Sequence, residues 1–297
     1  MKLLITGAWN CTAEQLSVLK EMGNEILFMQ NEGDALPQGA EDVEGIICNG
    51  LFLHHDIQQF QKLRYVQLTS AGFDRVPLDY IQARGIEIHN ARGVYSIPMA
   101  EFAMCGVLQL YKQMRFFIEN QKRHRWEKHR GLQELNAKTV CIIGCGSVGT
   151  ECAKRFCAFG CKVIGVDICL KQSGYYETIV PLSKLDDILP QADIIVLTLP
   201  LTEDTEHLID RTRLSTMNRH AILVNIARGA VVDTEALIEV LPNIGGAVLD
   251  VVEDEPLKED SLLWDMDNVI VTPHNSFVSD ETSERLAEVI IENLEGK

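Results

Sequence analysis

Val140-Cys141-Ile142-Ile143-Gly144-Cys145-Gly146-Ser147-Val148-Gly149 is a short apolar run that breaks into three spaced glycines. The apolar part predicts a buried strand, and a helical pattern follows over 151–159, so the glycines fall in a strand–turn–helix. Each glycine then has its own task. Gly144 permits the tight turn, Gly146 lets a pyrophosphate approach the backbone, and Gly149 lets the helix pack close to the strand. The helix N-terminus adds N–H donors and partial positive charge where phosphates would lie. The next predicted strand, Lys162–Val166, ends at Asp167, eighteen residues after Gly149. A carboxylate there can accept both hydroxyls of an adenosine ribose and would repel a 2′-phosphate, which favours NAD over NADP. Lys171 lies close enough in sequence to soften that discrimination.

Outward from this motif, short apolar runs alternate with amphipathic stretches. One series of predicted strands covers 2–6, 25–29, 45–48, 65–68 and 87–89. A second covers 139–143, 162–166, 194–197, 221–225, 246–249 and 269–271. Helical patterns lie between most of them, for example 13–22. Strands alternating with helices predict parallel sheets with right-handed crossovers, and two series predict two α/β domains. A long helical pattern over 97–119, with Pro98 in its first turn, separates the series. A final helical pattern spans 281–294; periodicity leaves open whether it returns to the first domain. No internal repeat or low-complexity segment interrupts the chain.

Composition sets the outer limits. The chain has 297 residues, 46% of them hydrophobic, and a net charge of −16. That supports a full core and argues against nucleic acid or an anionic membrane as partner, since phosphates repel the chain at long range. The apolar start Met1-Lys2-Leu3-Leu4-Ile5 is shorter than a signal peptide requires, and no stretch reaches the length of a membrane span. Nine cysteines, with no framework of spacings, read as free thiols in a reducing, cytoplasmic setting. No Cys-x2-Cys pair faces a second pair or a His pair, so no metal site is expected. The basic stretch Lys122, Arg123, Arg125, Lys128 and Arg130, with His124, Trp126 and His129 among them, is either a solvated linker or an arm that reaches a subunit partner or a substrate anion.

Three polar residues follow predicted strands of the second series: Arg228, Glu255 and His274. Ligands of open parallel sheets bind at the carboxyl ends of strands, so these positions share one crevice in principle. Hydride transfer to a keto group leaves charge on oxygen, and a histidine titrating near neutrality can give or take the proton. A neighbouring carboxylate orients the ring, and an arginine can grip a substrate carboxylate bidentately. Each residue alone has a plainer reading: a solvated arginine, a wet acidic loop in Glu253-Asp254-Glu255, a capped loop histidine. Spacing by itself does not bring the three together.

The motifs Gly144-Cys145-Gly146-Ser147-Val148-Gly149, Asn225-Ile226-Ala227-Arg228-Gly229, Leu249-Asp250-Val251-Val252-Glu253-Asp254-Glu255-Pro256-Leu257 and Thr272-Pro273-His274 resemble, in order and spacing, those of the D-2-hydroxyacid dehydrogenases. That group includes phosphoglycerate dehydrogenase, D-lactate dehydrogenase and glyoxylate/hydroxypyruvate reductase. The resemblance spans nearly the whole chain. It implies a doubly wound Rossmann NAD-binding domain, 96–274, inserted into a discontinuous flavodoxin-like catalytic domain, 1–95 plus 275–297. It implies that His274 is the acid/base, paired with Glu255, and that Arg228 binds the substrate carboxylate and carbonyl. Asp250 would contact the nicotinamide amide, Ile226 and Ala227 would line its site, and Ser147 and Val148 would lie against the pyrophosphate. The loop Ser70-Ala71-Gly72-Phe73-Asp74 would hold a small anionic 2-keto or 2-hydroxy acid, with Ser70, Ala71 and Gly72 nearest. A homodimer through the Rossmann domain is implied as well, with the Trp126 arm placed where some members reach the partner's site.

Some positions depart from the family pattern: Arg92 and Tyr95, Asn275-Ser276 after the histidine, and Thr198-Leu199-Pro200 at a strand end that more often carries histidine. With the sequence stopping at Lys297, no C-terminal regulatory domain is expected. Two alternatives stand beside the main expectation. One is a short, unregulated phosphoglycerate dehydrogenase that grips phosphate through Arg92, Arg125 or His54. The other is an NAD-sensing binding scaffold of the same fold.

Overall fold

The computed structural model describes residues 1–171 and 173–296, and the chain divides into two compact units. The first consists of Met1–Tyr95 and Ser279–Lys297, the second of Ser96–Val278.

In the first unit, β1 (Lys2–Thr6), β2 (Glu25–Met29), β3 (Gly45–Cys48), β4 (Tyr65–Leu68) and β5 (Glu87–His89) form one sheet in the order β2-β1-β3-β4-β5. Every pairing is parallel. The runs predict this: β3 and β4 are buried at every residue, as parallel strands covered on both faces must be. Helix α1 (Ala13–Glu21) starts in a capping box. Thr12 Oγ1 accepts the Gln15 N–H at 3.2 Å, and Gln15 Oε1 accepts the Thr12 N–H at 2.9 Å. Helix α2 (Leu78–Ala83) precedes β5. The C-terminal helix, Thr282–Glu295, lays Leu286, Ala287, Ile290 and Leu294 into the same apolar cluster as Leu3, Ile5 and Trp9.

In the second unit, seven strands follow the order β12-β11-β10-β9-β6-β7-β8. They are β6 (Thr139–Ile143), β7 (Lys162–Val166), β8 (Thr178–Val180), β9 (Ile194–Leu197), β10 (Ile222–Asn225), β11 (Gly246–Leu249) and β12 (Val269–Val271). All neighbours are parallel. Successive side chains of a strand point to opposite faces, and here both faces are apolar. Cys141, Ile143, Ile195, Leu197 and Leu223 belong to one cluster, while Val140, Ile142, Ile194, Val196, Ile222 and Val224 belong to another. The chain builds outward from β6 to β8 on one side, then returns to β9 and builds to β12 on the other. The switch point between β6 and β9 is where such sheets open a crevice.

Two features differ from the sequence expectation. Strand β8, Thr178–Val180, is not among the expected strands: only Ile179 and Val180 are apolar there, between Glu177 and Pro181. The single helix expected over 97–119 is two, α3 (Ser96–Tyr111) and α4 (Met114–Lys122). Gln113 breaks it by adopting φ 51°, with its side-chain amide donating to the Leu110 carbonyl at 3.0 Å, in place of continued helical pairing. Helix α5 (Ser147–Ala158) follows β6, and α6 (Leu185–Ile188), α7 (Arg211–Thr216) and α8 (Thr234–Val240) complete the unit. Among the described residues no helix is long and apolar enough to cross a membrane.

Candidate active site

The glycine loop can be tested residue by residue. Gly144 has φ 96°, and a Cβ there would stand 2.8 Å from the Leu199 nitrogen. At Gly149 a Cβ would stand 2.0 Å from the Gly144 carbonyl oxygen. The protein's own packing therefore demands both glycines. Gly146 is different: a Cβ there would meet nothing within 4 Å. Its small size matters only to something approaching from outside. Gly146 is also the N-cap of α5 and provides no side-chain cap to that helix end. Thr198 Oγ1 donates to the Gly144 carbonyl at 2.6 Å and so holds the turn; in the sequence this threonine is visible only as a departure from the family pattern. Ser147 Oγ accepts from Ser96 Oγ at 2.8 Å, which directs its own proton elsewhere. At the end of β7, Asp167 Oδ2 accepts the Cys145 N–H at 2.5 Å and Oδ1 accepts the Cys169 N–H at 2.7 Å. The carboxylate is thus anchored beside the glycine loop, with lone pairs left on both oxygens. A cradle of this kind fits a dinucleotide.

Beyond β10, Asn225 shapes the turn that carries Arg228. Buried at 1% exposure, its Oδ1 accepts the Ala227 N–H at 3.1 Å and its Nδ2 donates to the Arg228 carbonyl at 3.0 Å. Ile226 and Ala227 are buried, and Arg228 Nη1 donates to the Ala227 carbonyl at 2.8 Å. The next residue, Gly229, touches the neighbouring loop: a Cβ there would stand 1.9 Å from the carbonyl carbon and oxygen of Val252. The Arg228 turn is therefore pressed backbone to backbone against the loop that follows β11.

That loop carries Glu255, whose Oε1 accepts the Val252 N–H at 3.3 Å. Its Oε2 lies 2.9 Å from His274 Nδ1. His274 follows β12 in the left-handed region, φ 51°, and its N–H donates to the Asp250 carbonyl at 2.7 Å. The Asp250 side chain, 1% exposed, fixes the same loop from below. It accepts Thr272 Oγ1 at 2.7 Å, the Asn275 N–H at 2.8 Å and the Ser276 N–H at 2.9 Å. Phe277 stands edge-on to the His274 ring, with centroids 6.1 Å apart. With Nδ1 donating to a carboxylate, the imidazole keeps Nε2 as the nitrogen that exchanges a proton. Among the expected catalytic residues, Glu255 and His274 thus meet directly, and Arg228 joins them through the Gly229–Val252 contact. Spacing gave no sign of the buttressing by Asn225, Thr198 and the Asp250 carboxylate.

The loop Ser70-Ala71-Gly72 belongs to the first unit, after β4. Its carbonyls are engaged internally. The Ser70 carbonyl accepts the Ala91 N–H at 2.9 Å, that of Ala71 accepts Asn90 Nδ2 at 2.6 Å, and that of Gly72 accepts Ser70 Oγ at 3.1 Å. Tyr95 OH donates to the Thr69 carbonyl just before the loop.

The chain is similar to known proteins. A family model described as "D-isomer specific 2-hydroxyacid dehydrogenase, NAD binding domain" matches residues 104–276. A glyoxylate reductase of Thermofilum pendens is 35% identical over 242 residues, 78% of this chain and 71% of that protein. A D-3-phosphoglycerate dehydrogenase of Methanocaldococcus jannaschii is 30% identical over 301 residues, 99% of this chain but 57% of that protein. The crystal structure of an Aquifex aeolicus D-lactate dehydrogenase complexed with NAD and lactic acid superposes with a TM-score of 0.81. It is 27% identical, and the match covers 99% of this chain and 95% of that chain. The chain therefore belongs to the D-isomer specific 2-hydroxyacid dehydrogenase family and carries that family's NAD-binding domain.

Proposed function

We propose that this protein transfers hydride between NAD(H) and C2 of a small 2-keto or D-2-hydroxy acid, with His274 as acid/base. The observation that carries the reading is the 2.9 Å contact from His274 Nδ1 to Glu255 Oε2 at the carboxyl end of the seven-stranded sheet. Bound nicotinamide supplies or takes the hydride. In reduction, His274 Nε2 gives its proton to the oxygen that gains the carbonyl electron pair; in oxidation it takes the hydroxyl proton. Glu255 keeps the ring in the required tautomer and balances imidazolium charge. Arg228 pairs with the substrate carboxylate and polarises the carbonyl. The family resemblance extends the proposal to the backbone N–H groups of Ser70, Ala71 and Gly72 as donors to a substrate carboxylate. For the cofactor, Gly144, Gly146 and Gly149 shape the turn, Ser147 and Val148 receive the pyrophosphate, and Asp167 accepts the ribose hydroxyls. Asp250, Ile226 and Ala227 adjoin the nicotinamide.

A homodimer through the second unit accompanies this reading. It is supported by exposed Met114 and Phe159 around an apolar cavity of about 580 Å³ that Met104 and Leu108 also line, and by Trp126, which is 100% exposed. A cytoplasmic location is supported by nine cysteines that are all free. The deciding experiment follows NADH oxidation with glyoxylate, hydroxypyruvate, pyruvate, longer 2-keto acids and 3-phosphohydroxypyruvate. Turnover of at least one is expected; silence across the panel would end the dehydrogenase reading, and a sole preference for the phosphorylated acid would replace it with the phosphoglycerate one.

A further inference from the structure

A second imidazole–carboxylate pair lies in the second unit, outside every role assigned above. His207 Nε2 stands 2.5 Å from Glu253 Oε1, and Glu253 Oε2 accepts the Thr234 N–H at 2.8 Å. Three segments meet on this one carboxylate: the loop after β9, the start of α8, and the loop after β11 that presents Glu255 two residues later. The backbone of His207 is fixed too. Its N–H donates to the Ala230 carbonyl at 2.7 Å, two residues beyond Arg228, and φ is 46°. That left-handed conformation is uncommon for a residue other than glycine, although histidine adopts it more readily than most. The pair therefore fastens the Glu255 loop to the Arg228 segment at a second point, besides the Gly229–Val252 contact.

The groups facing His207 are all acidic: Glu253 across the hydrogen bond, Asp233 at the N-cap of α8, and Glu206 on its own segment. The Glu253 hydrogen bond foremost raises the imidazole above its ordinary pKa. Burial works to raise the Glu253 carboxyl, but the hydrogen bonds from Thr234 and His207 outweigh it and hold the group below the usual range. Both shifts favour the charged forms. As an exposed ion pair it adds little to stability; what it has to offer is geometry, since an acid/base constellation loses rate steeply when its supports move.

We propose that His207 and Glu253 are positioning residues for the hydride-transfer reaction, holding Glu255 in place against His274 and beside the Arg228 segment. The inference rests on the dehydrogenase reading given above. The test compares His207→Ala and His207→Gln with the wild-type chain. The alanine variant should lose about tenfold in kcat while KM for NADH stays within about twofold. Glutamine, which can still donate to Glu253 but cannot titrate, should regain most of kcat. It should also remove one titrating group from the alkaline limb of the kcat profile, the one belonging to His207. Hydrogen–deuterium exchange over residues 250–258 should quicken in the alanine variant and return toward wild type in the glutamine variant. Unchanged kcat and exchange in His207→Ala would overturn the proposal, and so would a loss that glutamine fails to rescue. Were the wild-type chain to reduce no 2-keto acid, the dehydrogenase reading would fall, and the exchange measurements would still judge whether this pair holds the loop.

Discussion

Replacing Gly146 by alanine should separate folding from dinucleotide binding. The residue sits at φ −73°, ψ −155°, a conformation open to alanine, and an added methyl would meet nothing within 4 Å. Two small terms then oppose each other in the free protein. Alanine restricts the unfolded chain, stabilising by about 0.4–1 kcal/mol. Alanine is also a poorer N-cap than glycine, at a cost of roughly 0.5–1 kcal/mol. They nearly cancel, so Tm should move by no more than about 2 °C. Binding should respond quite differently, because the methyl occupies the space a pyrophosphate needs. A hundredfold weakening corresponds to about 2.7 kcal/mol. Gly149→Ala is the control with the opposite signature: its methyl would lie 2.0 Å from the Gly144 carbonyl oxygen, so backbone must shift. Overpacking of that kind costs about 1–3 kcal/mol. NADH fluorescence titration gives Kd, and thermal unfolding of the cofactor-free protein gives Tm. If Gly146→Ala binds NADH within about threefold of wild type, or melts as early as Gly149→Ala, the assignment of Gly146 to the phosphates is refuted.

The remaining predictions concern chemistry and charge. Gly229→Ala drives a methyl to 1.9 Å from the Val252 carbonyl group, so the Arg228 and Glu255 loops must part by about 1 Å or more; kcat should fall about a hundredfold with NADH affinity nearly intact. His274→Ala should lower kcat by about 10²–10⁴ while NADH still binds, whereas Arg228→Ala should raise KM for the acid as well; near-normal turnover in either removes its assigned role. Asp167→Ala should narrow the preference for NADH over NADPH, and an unchanged ratio of kcat/KM values counts against the ribose contact. The raised pKa of His207 gives a contribution complete below 6.5 and lost as pH climbs through the raised value. The lowered pKa of Glu253 gives one complete above 4.5 and lost as pH falls through the lowered value. The stability difference between wild type and His207→Ala, followed by denaturant unfolding across pH, should therefore be greatest between 4.5 and 6.5 and fade on both sides; a flat difference would contradict it.

The sheets could be read from the chain because parallel strands buried on both faces are bare apolar runs. Val140 and Ile142 point one way, Cys141 and Ile143 the other, and every one of them is buried. The edge strand β8 lacks such a run, and the break at Gln113 lacks a glycine or proline to announce it. The glycine loop was legible for a different reason: each small residue there answers a local steric demand. What periodicity could not show is support across loops. Asp250 gathers three donors from residues 272–276, and His207 reaches Glu253 across 46 positions. Such contacts depend on where crossovers return the chain, and no sequence window of strand or helix length contains them.

The C-terminal helix bears on how the chain is made. Leu286, Ala287, Ile290 and Leu294 complete the apolar cluster begun by Leu3, Ile5 and Trp9. During synthesis β1 emerges long before its covering, which comes from Thr282–Glu295. Residues 96–278 can assemble on the ribosome as a self-contained body, while the opening segment waits with an uncovered greasy surface. That surface stays uncovered until residues 282–295 emerge, so loss of this helix would strike a cluster whose other half is laid down by β1.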